Sequence, residues 1–125
     1  MLRLRLLTNL FAIVLLVLTT FAYAKVSNEA DAINVLMHRI NKSQVYAAWL
    51  KQGCFTVFTE TTTAKFYEFA LHEAHGGNCE GDPNTSPVID RFRVSRVSNT
   101  ILWYNLPNDE YLPFKALIKN RKSKK

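Results

Sequence analysis

The chain has little with which to crosslink itself. It contains two cysteines, Cys54 and Cys79, with four glycines and four prolines in 125 residues. Two cysteines leave a single intramolecular pairing, which excludes a multiply bridged scaffold. No internal repeat is present, and no low-complexity segment apart from a short basic end. One apolar run stands out, residues 10–21, with only Thr19 and Thr20 as mild interruptions. It is shorter than the roughly 20 residues that cross a bilayer, and nothing later in the chain is long and apolar enough to do so. Acidic residues are absent before Glu29 and after Glu110. No Gly-x-Ser-x-Gly nucleophile turn occurs, and no histidine pair has the four-residue spacing of a helical zinc site.

The start of the chain reads as an export signal. Arg3 and Arg5 precede the apolar run, and Ala22-Tyr23-Ala24 gives the small-x-small pattern after which a signal peptidase cuts. The expected mature chain begins at Lys25, which is not a lipid-modifiable cysteine. An uncleaved membrane anchor is the competing reading, and the short run and the cut-site pattern both favour cleavage. The destination is then the periplasm or the exterior, where a Cys54–Cys79 disulfide forms and persists. Closing a loop of about 25 residues contributes roughly 3 kcal/mol in the chain-entropy model.

The formal charge of +6 is unevenly distributed. Residues 25–114 carry eight basic and ten acidic side chains, a balance of −2. Lys115, Lys119, Arg121, Lys122, Lys124 and Lys125 follow with no acid among them. The sequence therefore describes a slightly acidic domain, 25–114, followed by a basic, disordered tail, 115–125. A nucleic-acid partner is not expected. Lys119, Arg121, Lys122, Lys124 and Lys125 offer weak contact with an anionic surface such as acidic lipid headgroups.

Apolar spacing at Ala32, Ile33, Leu36, Met37 and Ile40 predicts an amphipathic helix, capped by Ser27 or Asn28. Asn41-Lys42-Ser43 interrupts it, and Val45, Ala48 and Trp49 extend an apolar face as far as Gly53. One broken helix or two short ones are expected over 29–52. From Cys54 onward the sequence reads as strands and loops: 55–59, 64–75, 91–97 and 100–106. Tyr67, Phe69 and Leu71 share one strand face, and Phe92 and Val94 share another. The fold class is α+β: an N-terminal helical segment on an antiparallel sheet of about four strands, with one disulfide. Phe66, Trp103 and Tyr104 lie where the second sheet face is either covered or an aromatic patch, and burial is the expectation.

The densest polar stretch is residues 72–92, and loops of this kind often hold sites. His72 and His75 are three apart, so on a strand they face opposite sides and do not chelate together. Asn78, Glu80, Asp82 and Asn84 alternate as calcium ligands do. A twelve-residue calcium loop starting at Asn78 would place Pro83 and Ile89 where glycine and glutamate are required. Ser86 or Thr85 with His75 and Asp82 or Asp90 make a hydrolytic set without a supporting motif. Turn chemistry gives the favoured reading: Asp82-Pro83-Asn84 shapes the loop, and Cys79 staples it to the end of the helical segment. Asp90 is expected to pair with Arg91 and Arg93 across the loop base. The candidate binding residues are His75, Glu80, Asp82, Asn84, Asp90, Arg91 and Trp103. No catalytic residue, metal or cofactor is expected.

The stretch NCEGDPNTSPVIDRFRV at 78–94, followed by ILWYN at 101–105, resembles a group of small exported bacterial proteins of unknown function. The final hairpin, RFRVSRVSNTILWYN, is similar to the strand-turn-strand of PepSY-type domains, with Asn99 where that pattern has glycine. That resemblance implies a small exported α+β module, of a kind in some cases linked to protease inhibition. The combined expectation is an exported, non-enzymatic binding protein, with an inhibitor-like module as one version of it, that presents its stapled loop to an extracytoplasmic protein. Docking on an anionic surface through the basic tail and a small metal-dependent hydrolase are the alternatives.

Overall fold

The computed structural model describes residues 25–123, and the expected leader lies outside them. Helix α1 spans Glu29–Ser43. Asn28 caps it by accepting a 2.9 Å hydrogen bond from the Asp31 amide, and Glu29 and Asp31 sit in the first turn, where the helix dipole favours acids. Its inner stripe is Ala32, Leu36 and Ile40, all buried. The helix ends where the sequence breaks its pattern: Gln44 turns left-handed at φ +52° and its N–H returns to the Ile40 carbonyl. The apolar residues beyond do not extend it. They run through turns that bury Tyr46 and leave Trp49 half exposed.

Five strands follow in a simple meander: β1 Phe55–Thr62, β2 Phe66–Glu73, β3 Val88–Ser95, β4 Ile101–Asn105 and β5 Glu110–Pro113. All neighbours pair antiparallel in the order β1-β2-β3-β4-β5. The fifth strand was not expected. Pro107 sits within a 3-10 turn, Leu106–Asn108, and Asp109 at φ +52° reverses the chain so that Tyr111 and Leu112 pair with Tyr104 and Trp103.

A larger departure concerns the basic end. Residues 115–123, expected to fray, join Phe114 in helix α2, Phe114–Ser123. Phe114, Leu117, Ile118 and Arg121 recur at helical spacing. Phe114 and Leu117 are buried, and Phe114 stacks on Phe92 at 6.0 Å between centroids. This apolar stripe is short and set among lysines, so composition alone hides it. The folded domain therefore reaches Ser123, and Lys124 and Lys125 lie outside the described residues.

One sheet face carries the core. Tyr67, Phe69 and Leu71 of β2, Phe92 and Val94 of β3 and Trp103 of β4 are all buried there, in one cluster with residues of both helices. Full burial of a side chain such as Phe69 or Phe92 stabilises by about 1.5–3 kcal/mol. Val26 closes the cluster at the N-terminal side, where its N–H donates to Asn99 Oδ1 at 2.9 Å. The opposite face is polar and aromatic. Arg93 bonds Glu68 at 2.6 Å with its guanidinium 4.4 Å from the Phe66 ring centroid and 3.9 Å from that of Tyr111. Burial works to raise the Glu68 carboxyl, but hydrogen bonds from Arg93 and Tyr111 outweigh it and hold the group below the usual range. Trp103 faces the core as expected, whereas Phe66 and Tyr104 remain partly exposed on the second face.

Asp90 joins these parts. Its carboxylate, 8% exposed, accepts from Tyr46 Oη at 2.6 Å, Trp103 Nε1 at 2.8 Å and Arg121 Nη2 at 2.8 Å. Replacing Asp90 with alanine leaves the Arg121 charge unpaired in a largely buried place. Urea unfolding of Asp90→Ala is expected to show a loss of about 3–5 kcal/mol, and a loss under about 1 kcal/mol would show that the charge is spent in solvent.

Candidate functional site

The loop between β2 and β3 is built from its turns. Gly76 and Cys79 exchange backbone hydrogen bonds of 3.1 and 3.0 Å around Gly77 and Asn78, with Gly76 at φ +90°. Cys79 is bonded to Cys54, the residue just before β1, with their Cα atoms 5.5 Å apart. Lys51 Nζ donates to the Asn78 carbonyl at 3.2 Å. The staple thus ties the loop to the turns after α1, the pairing expected from the two cysteines.

A second turn follows. Asp82 Oδ1 accepts from the Asn84 amide at 2.9 Å and from Asn84 Nδ2 at 3.1 Å, and the Asp82 carbonyl accepts from the Thr85 amide at 2.9 Å. Asp82 and Asn84 therefore act as the turn formers their types suggest. The loop then returns to β2: Ser86 Oγ donates to the Glu73 carbonyl, and the Glu73 amide donates to the Pro87 carbonyl, both at 2.9 Å.

His75 is the hub of this loop. Nε2 lies 2.8 Å from Glu73 Oε2, and Nδ1 lies 3.1 Å from the Asp82 carbonyl and 2.9 Å from Thr85 Oγ1. The imidazole lies against Gly81, where an added Cβ would come within 2.7 Å of the ring. Gly81 also has φ +105°, so glycine is required there twice over. The hydrogen bond to Glu73 raises the His75 pKa above the ordinary imidazole value, against the opposing effect of burial and with help from the Asp82 carbonyl.

Thr85, His75 and Glu73 thus form a line of hydroxyl, imidazole and carboxylate. The line is wired to hold a shape. The Thr85 hydroxyl donates to the Asp82 carbonyl at 2.9 Å, and both imidazole nitrogens face oxygen acceptors, which favours the doubly protonated ring. A cationic imidazole is a poor general base. The expected hydrolytic set assembles only in part: Thr85 meets His75, but Asp82 reaches it through its backbone carbonyl and not its carboxylate, Asp90 is bonded to Tyr46, Trp103 and Arg121, and Ser86 to the Glu73 backbone. Among the described residues no group of three or more His, Cys, Asp or Glu side chains is placed to hold a metal ion.

The seven expected site residues fall into three places. His75, Glu80, Asp82 and Asn84 share the loop. Asp90 and Trp103 are bonded to each other beside the core, so neither is a loop contact. Arg91 is on the opposite sheet face, bonded to Glu60 at 2.9 and 3.1 Å. The expected pairing of Asp90 with Arg91 and Arg93 is wrong because alternate residues of β3 face opposite sides of the sheet. Arg91 and Arg93 find Glu60 and Glu68, while Asp90 finds Arg121. Sequence reasoning gave Tyr46 no polar role and weighed Glu73 as a partner of Glu80, not of His75. The signal for Glu73 was its place two residues before His75 on an ending strand.

Residues 80–88 are all exposed. The loop is therefore a protrusion whose turns are satisfied from within. The chain matches no protein-family model, no curated protein and no solved structure.

A group whose folded pKa is raised contributes stability in full below its unfolded value, and that contribution is lost as pH rises through the folded value. Wild type is accordingly expected to exceed His75→Gln in urea stability below about pH 6. The excess should vanish in alkaline buffer, and an excess that grows with pH would contradict a cationic hub.

Proposed function

We propose that the protein is exported, that its leader 1–24 is removed, and that it acts as a non-enzymatic binding module. On this reading the stapled loop, read from the sequence as 76–90 and running to Pro87 before β3, meets an extracytoplasmic protein. The observation that carries it is a loop exposed throughout 80–88 yet held by a disulfide, two turns and the His75 hub. Ordering a flexible backbone costs about 1–2 kcal/mol per residue, and a loop already ordered avoids much of that cost on binding. The disulfide suits an oxidising compartment. Among the described residues no helix is long and apolar enough to cross a membrane. The inhibitor-like version rests on the likeness of the final hairpin to PepSY-type domains.

Glu80 is exposed and makes no ion pair among the described residues, so its replacement reads binding with little effect on the fold. A partner captured from an envelope extract by the mature protein should be retained roughly tenfold less by Glu80→Lys, and lost when residues 80–86 are replaced by a short glycine linker. Undiminished capture by the linker variant would remove the loop from the proposal.

A second reading has its own observation. Lys115, Lys119 and Lys122 are exposed at helical spacing, so they form a stripe along α2, whereas Arg121 is drawn inward to Asp90. That stripe supports docking on an anionic surface by an ordered helix. Sedimentation with acidic-lipid vesicles at low salt, lost in added salt and in a triple Lys→Glu variant of those residues, is the expected signature. Equal sedimentation with neutral vesicles would exclude it.

A further inference from the structure

A concave surface lies between the turns after α1 and helix α2. It encloses about 500 Å³, within the range of small-molecule sites. Val45, Ala48, Trp49 and Ile118 supply apolar walls, and Arg121 and Lys122 supply charge. No acidic side chain is among its lining residues. We propose that this cleft binds a free aliphatic monocarboxylate, with the tail against the apolar walls and the carboxylate toward Lys122 and Arg121.

The charge balance points to a single negative charge. Asp90 already neutralises Arg121 through Nη2 at 2.8 Å. Lys122 is exposed and makes no ion pair among the described residues. One unpaired cation therefore remains at the cleft. Arg121 is itself under strain of a polar kind: its Nε is buried with no hydrogen-bond partner. Buried donors of this kind are rare and call for an explanation. The guanidinium is positioned against two rings, 5.7 Å from the Trp49 centroid and 5.9 Å from that of Tyr46.

The end of α1 would oppose an anion, because helix C-termini carry partial negative charge. Two of its last carbonyls are covered. The Ile40 carbonyl accepts from the Gln44 amide and Ser43 Oγ, and the Asn41 carbonyl accepts from Gln44 Nε2. These same bonds occupy Ser43 and Gln44, the uncharged polar side chains on the cleft wall. Val45, Ala47, Ala48, Trp49 and Ile118 make up most of the wall, which favours an aliphatic tail. The site is separate from the loop 76–87, and neither proposal depends on the other.

Laurate, kept below its micelle concentration, is the probe, with dodecylamine as the matched cation. Trp49 is half exposed in the cleft, so its emission should shift to the blue and saturate as the tail enters. Calorimetry should give one laurate per chain, with dodecylamine binding roughly tenfold more weakly. Ala48→Glu, at an exposed wall position, should abolish laurate binding, and Lys122→Glu should weaken it roughly tenfold. Near-ultraviolet dichroism checks that each variant is folded, and Lys122→Glu decides the matter if Ala48→Glu is not. Absence of saturable laurate binding overturns the proposal. Equal affinity for the amine, or wild-type laurate affinity in a folded Lys122→Glu variant, overturns it as well.

Discussion

The carboxylate of Asp90 is the constraint on which the arrangement of the helices depends. β3 delivers it to the core side of the sheet, where a lone negative charge would be costly. Three donors meet it there, from the turns after α1, from β4 and from α2. Burial and the Asp90 carboxylate push the Tyr46 phenol well above its usual range, so it stays protonated and donates. Apolar packing alone is tolerant of small rotations. A carboxylate that must receive three directional hydrogen bonds is much less so, and it fixes where α2 and the Tyr46 segment lie against the sheet.

The same tie explains what was legible in the sequence and what was not. Period-three-and-four spacing marked α1, and alternation marked the buried faces of β2 and β3, because both signals are local. The disulfide was legible because two cysteines have one pairing. Helix α2 was hidden because its inward stripe of Phe114, Leu117 and Ile118 is short and set among lysines, while its polar anchor lies 31 residues away in sequence. The fifth strand was missed because Pro107, Asn108 and Asp109 read as the end of the last strand. They make a tight reversal instead.

The candidate site was legible in its turns and not in its partners. Gly81, Asp82, Pro83 and Asn84 announce a shaped loop, and the structure folds it around His75. Which carboxylate holds which cation is a question of strand facing and of which elements come to rest together. Grouping Asp90 and Arg91 with the loop by nearness in sequence, and Trp103 with it as a neighbouring aromatic, merged three separate environments. The face opposite the core shows the same logic. Glu60 reaches Arg91 across the intervening strand β2, where Ala70, in register with Arg91, is small and fully buried.

Strand β1 has one further property. It is an outer strand, rich in threonine, and a regular strand of its length would template the addition of foreign chains. Its pairing with β2 shifts between Thr59 and Thr61, leaving Glu60 at the irregularity. Such an irregularity twists the outer rim and interrupts its row of free amides and carbonyls. Glu60 adds a charge at the same point. The molecule thereby carries a built-in guard against edge-to-edge aggregation, at the one rim long enough to need it.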